Sequence, residues 1–265
     1  MSAGALPIER LVAHRGLRAH YPENSLEGIR AALDAGIMRV ECDVQFSRDG
    51  VAMLYHDATL QRVSGLPGSL RDYSCAQLVQ LPAGEASRLG DKFHAVHIHP
   101  LADLLPLLKA YPNAQLFVEI KPHSLTDVGA RAAAEQLCAL FADYAEQVVL
   151  ISFAVEVVAW ARQCGWPLCG IVLNTLDALA SAPVIALNPD YIFVDQLLLD
   201  SAFHVANCAL PAKWVAYEVA EQAMGWQLLK QGIALLESFD TAKLAAVAKF
   251  EQSGADRSLQ APPAS

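Results

Sequence analysis

The sequence predicts an α/β fold, a TIM (β/α)8 barrel with a small insertion after a hairpin on the second strand. Three observations predict it. Apolar runs centred on Val12, Val40, Val118, Leu150, Val172, Phe193, Val215 and Leu235 number about eight, as closure of a parallel barrel requires. A length of 265 residues suits one such barrel. The early runs also end abruptly in titratable side chains, and the carboxyl ends of barrel strands are where chemistry is carried.

The first strand, Leu11-Val12-Ala13, passes without a turn into His14-Arg15-Gly16. Asn24 is placed to cap the next helix, with Glu27 three residues on as in a capping box and Gly36 as its stop. On the second strand Glu41 and Asp43 stand two apart, so both carboxylates leave one face. Ser47-Arg48-Asp49-Gly50 carries a tight-turn signature, so residues 51–56 fold back antiparallel and bring His56 beside Glu41 and Asp43. Residues from about 59 to 100 read as the insertion, rich in Gly, Pro and Ser at its start, with a helical patch at 73–81. A helix over 101–110 stops at Tyr111-Pro112-Asn113, and the following strand puts Glu119 and Lys121 on one face. Later helices are expected near 126–144, 155–164 and 199–208. The barrel is taken as residues 1–251, with a mobile tail at 252–265.

Hydrophobic residues make up 54% and charged residues 18%, which suits a large core and argues against disorder. A formal charge of −9 without a lysine or arginine block argues against a nucleic-acid partner. The six cysteines form no CxxC pair, so they read as free thiols. No basic leader precedes an apolar stretch and no apolar run reaches membrane-spanning length. A cytoplasmic protein without stable membrane insertion is expected, and its oligomeric state is not legible.

His14-Arg15-Gly16, Pro22-Glu23-Asn24-Ser25, Glu41-x-Asp43, His56-Asp57 and Glu119-x-Lys121, in this order and spacing, resemble the glycerophosphodiester phosphodiesterase family. The match runs from about the first strand to the fifth, where Ile151-Ser152-Phe153 also fits. The resemblance implies an insertion overhanging the site. It further implies attack by the glycerol's own neighbouring hydroxyl, giving a cyclic phosphate that water then opens. Glu41, Asp43 and Glu119 offer hard oxygen ligands suited to Mg²⁺ or Ca²⁺. His14 and His56 are the acid and base candidates, Arg15 would brace a phosphoryl oxygen, and Lys121 would add positive charge. Tyr217 is carried as a substrate contact. The family's usual aromatic-Thr-Val-Asn run is here Tyr217-Glu218-Val219-Ala220, and its usual Thr-Asp is replaced in a stretch reading Glu237-Ser238-Phe239-Asp240. The extra acid at Glu218 would favour a cationic alcohol such as choline or ethanolamine.

The leading expectation is metal-dependent hydrolysis of a small-molecule glycerophosphodiester to glycerol 3-phosphate and an alcohol. The alternatives are a lysophospholipase D-like hydrolase and a catalytically silent barrel that binds phosphate compounds. Structural roles stay open for single residues. Glu41 and Asp43 could face Arg39, Arg48 or Lys121 in salt bridges, Glu119 could simply pair with Lys121, and Asn24 and Glu23 could serve the helix start alone. His94, His97 and His99 suggest a metal cluster, but polar packing or substrate contact explains them as well, and Ser152 reads as a wall of the site.

Overall fold

The alternation expected of barrel strands is realised in a ring. The computed structural model describes residues 4–246, so the tail expected at 252–265 lies outside the described residues. Nine strands are present among them: β1 (Leu11–Ala13), β2 (Arg39–Phe46), β3 (Ala52–Leu54), β4 (Gln115–Ile120), β5 (Val148–Ser152), β6 (Cys169–Leu173), β7 (Tyr191–Asp195), β8 (Lys213–Tyr217) and β9 (Leu235–Ser238). Their hydrogen-bonded order is β1-β9-β8-β7-β6-β5-β4-β2-β3, and pairing of β1 with β2 closes the ring. All pairs are parallel except β2 with β3, the expected return strand. Each of the eight residues on which an apolar run is centred falls in a barrel strand.

Because side chains alternate across a strand, each run splits into two faces. Val12, Phe117, Val149, Ile151, Val172, Tyr191, Phe193, Val215 and Leu235 fill the barrel, with Phe117 edge-on to Tyr191 and Phe193 at 5.1 Å. Their neighbours Val118, Leu150, Ile171, Val194 and Leu236 pack outward into the larger core. At Gly170 an added Cβ would lie 2.9 Å from Ile151 Cγ2 and 3.0 Å from Tyr191 Cβ, so the interior accepts no side chain there.

Three helix expectations are corrected. Ser25, not Asn24, caps the helix Leu26–Asp34 by accepting from the Gly28 N–H, because Asn24 is turned toward Asp43. The stretch at 126–144 is broken by Gly129 at φ 81° into one turn, Leu125–Val128, and the helix Ala130–Leu140, with a 3-10 turn at Ala142–Tyr144. The stretch at 199–208 is not an α-helix and holds only the 3-10 turn Val205–Asn207. There Asp200 accepts from the Ala202 and Phe203 N–H groups and His204 from Ala206, side-chain bonds that compete with a helix.

Between β3 and β4 the insertion builds short helices, Gln61–Ser64, Cys75–Leu78 and Ala86–Leu89, over a small apolar cluster that includes Met53, Leu60, Val63, Leu78 and Ile98. Among the described residues no helix is long and apolar enough to cross a membrane.

Candidate active site

Continuing the inward-facing rows toward the carboxyl ends of the strands changes them from apolar to charged. Val12 is followed by His14, Phe117 by Glu119 and Lys121, Val215 by Tyr217, and Leu235 by Glu237. On β2 the inward row is Glu41, Asp43 and Gln45. His14, Arg15, Glu41, His56, Glu119, Lys121, Tyr217 and Glu237 line a cavity of about 190 Å³, and Ile151, Phe153, Val172 and Phe193 complete its wall. A larger cavity of about 650 Å³ runs along residues 45–50, 58, 69–71, 123–124 and 127–128. It holds none of the clustered carboxylates, so the chemistry points to the smaller one.

The turn after β1 sets the geometry. Arg15 and Gly16 both have left-handed backbone, φ 57° and 76°, and a Cβ on Gly16 would lie 2.7 Å from the Gly28 carbonyl carbon. That turn aims the Arg15 backbone N–H at Glu41 Oε2, 3.0 Å away. The Arg15 side chain returns with Nε 3.0 Å from Asp43 and Nη1 3.4 Å from Glu23. Asn24 braces Asp43 twice, donating to Oδ2 and accepting from its backbone N–H, both at 2.9 Å. Lys121 Nζ stands 2.6 Å from both Asp43 Oδ1 and Glu119 Oε1. Phe239 stacks on the His14 ring at 4.4 Å and lies under the Arg18 guanidinium.

His56 arrives on the return hairpin, as expected. Gln45 Nε2 donates to the carbonyls on either side of it, Tyr55 at 3.1 Å and Asp57 at 2.7 Å. The His56 Nδ1 lies 2.7 Å from Asp57, and Arg62 from the insertion joins Asp57 to Glu23. Glu85 accepts from the Glu23 backbone N–H at 2.7 Å, so the insertion is fastened to the loop after β1.

Burial and charge divide these groups. Burial lowers the His14 pKa well below the usual imidazole value, with Arg15 adding to the effect, so His14 is neutral near pH 7. Burial alone would raise Asp43, but Lys121 and Arg15 overcome it and hold the carboxyl far below the usual range. Burial lifts Glu41 well above its usual value, with Asp43 and Glu237 reinforcing it. Glu237 is lifted likewise, by burial and then Glu119 and Asp43. Burial disfavours the Lys121 ammonium, but Asp43 and Glu119 more than compensate and keep it charged.

The sequence-predicted residues therefore converge, with Asp43 fully buried just behind the cavity wall. Ligand-capable atoms of Glu41, Asp43 and Glu119 lie within 4.8 Å of one another, and Glu41 Oε1 is buried without a hydrogen-bond partner. This donor set fits a hard divalent cation. Arg39 and Arg48 are engaged elsewhere, on the Glu9 carbonyl and on Asp72 and Gln77, while the pairing of Lys121 with Asp43 and Glu119 is present. His94 and His99 bind Asp91 and Asp103, and none of the three insertion histidines joins a metal-competent group among the described residues. Ser152 is not a wall of the cavity: it donates to the Ile120 carbonyl and accepts from the Ala154 N–H. Glu237, Phe239, Gln45 and Arg62 were missed as site residues by sequence reasoning. The signal for Glu237 was its parity with inward-facing Leu235.

A parallel barrel with imidazoles, carboxylates and cations at the carboxyl ends of its strands has the architecture of the (β/α)8 enzymes. More narrowly, the chain belongs to the glycerophosphoryl diester phosphodiesterase family, whose model matches residues 14–162. It is 32% identical over 152 residues to glycerophosphodiester phosphodiesterase 1 of Rattus norvegicus, covering 57% of this chain and 45% of the relative. It is also 32% identical over 115 residues to a glycerophosphodiester phosphodiesterase of Bacillus altitudinis, covering 43% and 46%. The matched segment thus spans about half the length of these curated relatives. An Oleispira antarctica phosphodiesterase, solved in complex with the product sn-glycerol-3-phosphate, is similar in fold, with a TM-score of 0.77 at 24% identity over 91% of this chain and 96% of that one.

Proposed function

We propose that this protein hydrolyses glycerophosphodiesters to glycerol 3-phosphate and an alcohol with the aid of a divalent cation. The observation that carries the reading is the convergence of His14 and His56 on one cavity with Arg15, Lys121 and the carboxylates. Family membership and the product held by the Oleispira antarctica barrel support it.

Mg²⁺ or Ca²⁺ on Glu41, Asp43 and Glu119 would supply Lewis-acid stabilisation of the phosphoryl oxygens. The rest falls to the chain itself. Neutral His14 is suited to take the proton from the attacking glycerol hydroxyl, and His56, oriented by Asp57, to give one to the leaving alcohol oxygen. The new bond joins that hydroxyl oxygen to phosphorus as the bond to the alcohol oxygen breaks. In the second step the water oxygen bonds to phosphorus as the bond to that glycerol oxygen breaks, His56 taking the water proton and His14 returning its proton to the freed hydroxyl. Arg15 and Lys121 counter the phosphate charge, and Tyr217 forms the wall for the glycerol. Exposed Glu218, on the cavity rim at φ 59°, is placed to attract a cationic alcohol. The free cysteines suit a reducing cytoplasm.

The test is release of glycerol 3-phosphate from glycerophosphocholine, with chelator and then with Mg²⁺ or Ca²⁺ restored, and Glu41→Ala as the control. Metal-restored activity that the variant lacks is expected. Absence of product from this and other glycerophosphodiesters, with the protein folded, would favour the silent binding barrel.

A further inference from the structure

Glu41, Asp43, Glu119 and Glu237 are buried at the carboxyl ends of the barrel strands, and among the described residues only Asp43 and Glu119 of these four have lysine or arginine partners. Asp43 is paired with Lys121 and Arg15, and Glu119 with Lys121. Glu41 and Glu237, 1% and 2% exposed, have no lysine or arginine within salt-bridge distance among the described residues. Glu41 Oε2 accepts only a backbone N–H, from Arg15, while Glu41 Oε1 and Glu237 Oε1 are sealed from solvent with no hydrogen-bond partner. Two neighbouring carboxylates buried in this way are costly unless a cation joins them.

Their placement is a consequence of register. Glu237 lies opposite Val12 in the β1–β9 ladder and shares the inward face of Leu235, which carries it to the same cavity as Glu41 and His14. Ligand-capable atoms of His14, Glu41 and Glu237 lie within 4.8 Å of one another, a spacing that one cation can bridge.

We infer that Glu237 is a ligand of the divalent cation, which it shares with Glu41 on the β1–β9 side of the cavity. This inference rests on the metal-dependent reading above: Glu41 belongs both to the group with Asp43 and Glu119 and to the group with His14 and Glu237. It gives Glu41 the pivotal place, since the oxygens of Asp43 are already occupied by Lys121, Arg15 and Asn24.

Mn²⁺ binding to the whole chain, measured by calorimetry and by electron paramagnetic resonance, tests it without reference to turnover. Wild type is expected to bind the ion. Glu237→Gln should weaken binding by about tenfold or more, and the rise in melting temperature on adding Mn²⁺ should shrink with it. In chelator Glu237→Gln should melt no lower than wild type, because a buried unpaired carboxylate has been removed. If that variant fails to fold, Glu237→Asp serves: a retained carboxylate at changed reach should alter the Mn²⁺ spectrum. Mn²⁺ affinity within twofold of wild type in Glu237→Gln, or an unchanged spectrum in Glu237→Asp, would overturn the role of Glu237. Loss of binding in Glu41→Gln alone would leave the metal reading standing. A wild-type chain that binds no Mn²⁺ would remove both.

Discussion

Lys121→Met is the most direct probe of how the charged mouth of the barrel is held together. The ammonium sits 2.6 Å from Asp43 and 2.6 Å from Glu119, with a side chain only 8% exposed. Methionine keeps most of the aliphatic stem and therefore most of the packing, so the loss is chiefly electrostatic. Removing one partner of a buried ion pair costs about 3–5 kcal/mol, because the remaining charge stays desolvated. In the variant Asp43 keeps Arg15, 3.0 Å away, while Glu119 is left without a lysine or arginine partner among the described residues. For a domain of this size each kcal/mol moves the melting temperature by about 2–4 °C, so a fall of roughly 6–20 °C is expected in chelator. The assay is calorimetric or spectroscopic melting with and without Mg²⁺. The divalent ion should recover more stability in the variant than in wild type, since two carboxylates have been released to it. A variant that melts within about 2 °C of wild type in chelator would refute the reasoning, because it would show that the lysine offsets no buried charge.

Two further expectations follow from the same geometry. Arg15→Lys replaces a guanidinium that reaches Asp43 and Glu23 together by a single point charge, and a charge-assisted hydrogen bond is worth about 1.5–3 kcal/mol. kcat/KM for glycerophosphocholine should fall by roughly 10- to 150-fold, and an unchanged value would sink the assigned role. For Glu23, burial raises the pKa, but Arg62, Arg15 and Arg18 overcome it and set the folded value below the ordinary one. The stabilisation is therefore present above an unfolded pKa of about 4.3 and is lost as pH falls through the folded value. Urea unfolding should show Glu23→Gln less stable than wild type near neutrality, with the gap closing below about pH 4. A gap that persists unchanged in acid would contradict that account.

The sequence by itself determined the strands, because each barrel strand is a short, nearly continuous apolar run buried on both faces, too short to be a helix. The two-residue period of a strand placed Glu41 with Asp43 and Glu119 with Lys121 on common faces, and the Asp49-Gly50 turn returned His56 to them. Helices were less legible where local polar bonds or a glycine decided the outcome, as at Asp200, His204 and Gly129. Asn24 shows why: its residue type suits a helix cap, but a buried Asp43 that needs a donor and an acceptor claims the amide instead. Only the tertiary structure decided which carboxylates are neutralised and which are not. Glu237 lies 196 positions after Glu41 in the chain, and closure of β9 on β1 brings the two together. Pairing partners, burial and the resulting charge balance depend on that closure, since Coulomb energy and desolvation follow distance and surroundings in space rather than order along the chain.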